Sequence, residues 1–174
     1  MKTPTAVILA MSALDCAGTN DFVSWAIDEL LAGNESEALA VLAGFDEGVS
    51  SFELQEYFEK AKRELGVSEP TRSEALGQYT TYLVQSILDP DSDYRPIVAK
   101  LATLCHTNNY PSNLMEWYEL DDGLADLASA KNYPFAYPEL HGANPKDVVE
   151  KVAREFIKAN KAQMATPRKP SDQI

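Results

Sequence analysis

Two histidines and two cysteines are all that this chain of 174 residues offers of the side chains most used as zinc ligands or as bases near neutral pH. Neither His106 nor His141 has a second histidine nearby. Cys105 adjoins His106, but neighbouring residues of a helix point about 100° apart, so adjacency makes no nucleophile–base pair. Phosphate-cradling glycine loops, Gly-x-Ser-x-Gly elbows, paired Cys-x-x-Cys motifs and His-Glu-x-x-His are absent. Their absence removes the common phosphotransferase, hydrolase and zincin classes. No catalytic residue, cofactor or metal ligand is assigned.

Basic residues are scarce as well: 15 Lys and Arg stand against 27 Asp and Glu, a formal charge of −12. General nucleic-acid binding needs clustered cations to neutralise phosphate, so this balance argues against it and equally against docking on anionic lipid. No apolar run approaches the ~18 residues of a membrane span. Lys2 and the run Ala6-Val7-Ile8-Leu9-Ala10-Met11 ahead of Cys16 have the outline of a lipoprotein leader. Asp15 is wrong for that cleavage and the run is short, so the segment reads as an ordinary first helix.

What is present is apolar material and charge. With 45% hydrophobic residues the chain can build a core without a disulfide staple. Cys16 and Cys105 lie among apolar neighbours and read as small buried hydrophobes, and one possible pair in a chain this size suggests a reducing, cytoplasmic compartment. Residues 1–140 hold 23 acids and 8 bases, whereas residues 141–174 hold 4 acids and 7 bases. The basic last helix would then lean on an acidic body.

Helix punctuation is frequent. Pro4 opens a segment ending near Gly18; Thr19 or Asn20 caps a second, Phe22 to Ala32, closed by Gly33; a short third runs from Ser36 to Ala43. Ser50 with Glu53, and Thr71 with Glu74, are capping boxes that start two more helices, the first stopped by Gly66 and the second by Asp89-Pro90. Further helices are expected from about Pro96 to His106, from Ser112 toward Leu127, and from Asn144-Pro145 to about Met164. No run alternates apolar and polar residues over strand length. The expected fold is all-α, an irregular array of about seven helices in a single domain over residues 1–164, with a disordered tail over 165–174.

Two acidic clusters stand out. Asp89-Pro90-Asp91-Ser92-Asp93 resembles the opening of a calcium loop, but Tyr94 replaces the required glycine and Lys100 the required glutamate, so it reads as a loop and helix cap. Glu116, Glu119, Asp121, Asp122 and Asp126 form the densest cluster, beside Trp117 and Tyr118. Large aromatics among carboxylates suit a patch for a basic protein partner, with Trp117 and Tyr118 as anchors. The alternative is a carboxylate-based site for a small ligand or divalent metal, working as an enzyme.

Several phrases carry a likeness: Trp25-Ala26 with Leu30 and Gly33, Leu42-Ala43-Gly44-Phe45, Ala61 with Glu64-Leu65-Gly66, Tyr110-Pro111, and Trp117-Tyr118-Glu119-Leu120-Asp121-Asp122. The chain resembles small acidic all-helical bacterial proteins without an assigned activity, some of which are similar to immunity proteins of secreted toxins. The resemblance implies a non-catalytic module that masks a basic partner, and it brings no catalytic residues.

Overall fold

The computed structural model describes residues 3–129 and 133–165. Among them the chain forms eight α-helices and no strand: α1 (Thr5–Ala13), α2 (Thr19–Leu31), α3 (Glu37–Leu42), α4 (Ser51–Glu64), α5 (Arg72–Ile87), α6 (Tyr94–Thr107), α7 (Met115–Ala128) and α8 (Pro145–Ala165). A 3-10 turn, Pro138–Leu140, lies between the last two. The all-α array is as expected. The expected tail lies, apart from Ala165, outside the described residues.

The helix boundaries follow from local chemistry. Ser50 accepts from the Glu53 N–H at 3.1 Å and so caps α4. Thr71 and Glu74 close a full box at the start of α5, Glu74 accepting from the Thr71 N–H at 2.9 Å and Thr71 Oγ1 from the Glu74 N–H at 3.3 Å. Asp21 reaches back to the Gly18 N–H, so α2 begins at Thr19 itself. Gly33 and Gly66 leave α2 and α4 with φ of 88° and 64°, left-handed geometry that costs glycine little. The first helix is shorter than expected. It ends at Ala13, and Asp15 turns the chain with φ of 55°. Cys16 is carried to the surface by that turn, a correction to its expected burial, while Cys105 is buried.

Contacts divide the chain into two units, residues 1–79 and 80–174, with the boundary inside α5. In the first unit, Phe22 and Trp25 of α2 meet Phe58 of α4 edge-to-face, with ring centroids 4.7 and 5.5 Å apart. Leu39 and Leu42 of α3 and Ile8 and Leu9 of α1 complete that core. A polar thread runs through it. The fully buried Trp25 indole donates to Thr5 Oγ1 at 3.2 Å, and Thr5 donates in turn to Glu29 at 2.8 Å. Glu29, itself buried, also accepts from Asn34. Lys62 is buried too, its ammonium 2.7 Å from Glu59 and 3.3 Å from Glu69. Glu64 crosses to the start of α3, where Ser36 Oγ and the Ala38 N–H donate to it. Those bonds hold its carboxyl below the usual range.

In the second unit α7 folds back on α6, and Val98, Leu101, Leu104 and Cys105 of α6 are buried together with Trp117, Leu120 and Leu124 of α7. Val149, Val152 and Ala153 are buried on α8, whose Phe156 ring stands 6.1 Å from that of Trp117. Replacing the central member of the first unit's polar thread tests its weight. Thr5→Val keeps the shape but strands a buried indole N–H, so unfolding in urea should show a loss of about 1–3 kcal/mol. Thr103→Val, on an exposed face of α6, should change stability by no more than about 0.5 kcal/mol. Equal effects of the two would refute the structural role of the thread.

Candidate functional site

α7 carries the whole of the aromatic–acidic cluster, and helical geometry sorts it. At about 100° per residue, Trp117, Leu120 and Leu124 share one side, and all three are buried. Trp117 is fully buried, so it belongs to the core and reaches no surface. Glu119 and Asp122 are exposed and Tyr118 and Asp126 half-buried on the opposite arc. Glu116, exposed, and Asp121, half-buried, stand at its two edges. The helix runs without interruption through Gly123.

Two of the carboxylates are occupied within the chain. Glu116 accepts a hydrogen bond from the Tyr137 hydroxyl at 3.1 Å, and Asp126 accepts from the Phe135 N–H at 3.0 Å. Between them, Gly123 lets the 133–141 segment lie directly on the helix. A Cβ at that position would stand 2.7 Å from Tyr137 Cβ, closer than real Cβ atoms come, and a tight 3.0 Å from Leu140 Cδ1. Burial, followed by the charge and hydrogen bond of Glu116, pushes the Tyr137 phenol far up, so it stays a donor.

Asp121 and Asp122 act on one another rather than on a cation. Among the described residues no ion pair involves any acid of α7, and the helix itself contains no Lys or Arg. Burial, and after it the Asp122 charge, raises the Asp121 carboxyl above its usual range. The Asp122 charge also raises the Tyr118 phenol, with Tyr110 adding to it.

Beside this arc lies a row of rings. Tyr118 meets Tyr110 at 5.5 Å between centroids, and Tyr110 meets His106 at 5.5 Å. Tyr110 holds φ of 52° directly after Asn109 at 62°, an uncommon pair of left-handed residues. The Tyr110 N–H closes the α6 terminus onto the Cys105 carbonyl at 2.9 Å, and the ring stack fixes the side chain. Cys105 is buried beneath, its Sγ 3.8 Å from Met115 Sδ and its thiol raised by burial, which disfavours the reactive thiolate.

The second acidic cluster is local scaffolding. Asp89 accepts from the Asp91 N–H at 3.2 Å, and Asp93 caps α6 through the Arg95 N–H at 3.1 Å. Among the described residues no three or more His, Cys, Asp or Glu side chains gather as a metal-holding group, and none of the helices is long and apolar enough to cross a membrane. The chain matches no family model, no curated protein and no solved structure.

Two substitutions probe this construction. Gly123→Ala should cost about 1–3 kcal/mol through overpacking and loosen the 133–141 segment to protease, whereas Gly77→Ala in α5, with open space around it, should stabilise by about 0.5–1 kcal/mol. A neutral Gly123→Ala would contradict the close approach. For Asp121 the sign is set by its raised pKa in the folded chain. That shift favours folding while the carboxyl is protonated, and the advantage is lost as pH rises through the folded value. At pH 7 the ionised Asp121 therefore opposes folding. Asp121→Asn should raise the urea midpoint at pH 7, with the gain vanishing below about pH 4. A loss of stability at pH 7 would contradict the account of Asp121 as a carboxylate opposed by burial and by the Asp122 charge.

Proposed function

We propose that this chain is a non-catalytic, acidic helical module that binds a basic protein partner through the outward arc of α7. Glu119 and Asp122 supply exposed charge there with Asp126 between them, Tyr118 supplies an aromatic anchor, and Glu116 and Asp121 extend the field at its edges. Trp117 supports the face from the core and makes no contact with the partner.

The observation that carries this reading is the lack of counter-charge on α7. Elsewhere several of the chain's cations sit beside its own acids: Lys60 by Glu56, Lys62 by Glu59 and Glu69, Arg72 by Asp15, and Lys146 and Arg154 by Glu150. The acids of α7 have no such neighbour among the described residues, and their mutual repulsion is relieved when a cationic surface arrives. Masking by steric cover and charge complementarity, as in an immunity-type protein that covers a basic toxin, is one concrete form of this function. Recognition of this kind needs no chemistry from the chain.

Capture experiments with the full chain and a Glu119→Lys/Asp122→Lys variant test it, because both positions are exposed and the fold should tolerate the change. A basic protein held by the parent chain, lost from the variant and released by high salt is the expected result. Retention of the same protein by the variant would overturn the proposal. A rise in melting temperature with magnesium or calcium ions, abolished in the variant, would instead favour the carboxylate–metal reading.

A further inference from the structure

The segment after α7 displays rings to solvent and holds them there. Tyr133 stands 4.8 Å from Phe135 and 4.9 Å from His141 between centroids, so three rings form a continuous surface. Phe135 is 67% exposed and Tyr133 37% exposed. Phe135 and Tyr133 are exposed side by side, and contiguous exposed apolar surface marks a contact site. Nor is the segment loosely attached. Leu140 is buried, Tyr137 is tied to Glu116, and the Phe135 backbone is tied to Asp126.

These ties put the Phe135 backbone at the Asp126 end of the carboxylate row. Asp126 Oδ2 is 3.0 Å from the Phe135 N–H, which leaves Oδ1 to accept from a ligand. Asp122 lies one helical turn back on the same arc, and residues four apart on a helix are surface neighbours. Cations do sit over rings in this protein, at Tyr57, Phe58 and Tyr94, but among the described residues none covers Tyr133 or Phe135.

We propose that Tyr133, Phe135, Asp122 and Asp126 form a seat for an arginine side chain of the basic partner. The inference rests on the binding face assigned above and names the residue type that the face selects. A guanidinium plane can lie against the Phe135 or Tyr133 ring while its N–H groups point to the Asp126 and Asp122 carboxylates. Lysine fits less well. Its compact, strongly hydrated ammonium gains less from a ring face and cannot make the forked contact with carboxylate.

Titration calorimetry of the full chain with oligo-arginine and oligo-lysine peptides of equal length, at one fixed salt concentration, separates the possibilities. The arginine peptide should bind about three- to tenfold more tightly. Phe135→Ala and Tyr133→Ala should remove that preference and leave the lysine peptide unchanged; unaltered melting temperatures would show that the fold is kept. Equal affinities for the two peptides, or an arginine preference that survives loss of both rings, would overturn the arginine seat and leave the acidic face standing. No binding of either peptide, or undiminished binding by the Glu119→Lys/Asp122→Lys variant, would overturn the face itself.

Discussion

The close approach of the 133–141 segment to α7 at Gly123 fixes the geometry on which the candidate site depends. Only a residue without a side chain allows Tyr137 and Leu140 to lie on the helix there. With that contact made, the Tyr137 hydroxyl meets Glu116 and the Phe135 N–H meets Asp126, and the rings of Tyr133 and Phe135 pair with each other. A larger side chain at 123 would lift the segment and separate rings from charge. One helix thus has three sides with different duties. Trp117, Leu120 and Leu124 make core, Gly123 with Glu116 and Asp126 grips the segment, and Glu119 and Asp122 face water.

Charge is distributed in keeping with that division. Exposed ion pairs contribute little to stability, so the pairs of Lys60 and Arg72 and those on α8 matter mainly because they occupy cations. On α7 burial of Asp121, with the Asp122 charge beside it, opposes folding with Asp121 ionised, and the buried Trp117–Leu120–Leu124 side of the helix offsets that cost. Protein surfaces that keep such an unfavourable concentration of charge gain from it in rate and selectivity of association rather than in stability.

Much of the fold was legible because its signals are local. Ser50 with Glu53, Thr71 with Glu74, Asp93, Gly33 and Gly66 act within one turn of the chain, and each marks a helix end as the spacing indicated. The acidic cluster was legible as a composition on one helix, but its sorting was not. Trp117 next to Tyr118 reads as a pair of anchors until the phase of the helix sends one inward, and that phase is set by burial against partners distant in sequence. The engagement of Glu116 with Tyr137, 21 residues away, and the tight contact at Gly123 have no sequence signature. A glycine inside an otherwise periodic helix was the one available hint, since close packing is a common reason for it. Cys16 shows the opposite failure: apolar neighbours suggested burial, but a single left-handed residue, Asp15, redirects the chain.

The central claim is that one face, and not the net negative charge of the whole chain, meets the partner. Carboxyl carbon NMR of all Asp and Glu side chains, followed while oligo-arginine peptide is added to the full chain, tests it most directly. The account requires the largest shifts at Glu119, Asp122 and Asp126, with little change at Glu56, Glu59 and Glu69, whose charges already have partners. Shifts spread evenly over the acids of both units would contradict it.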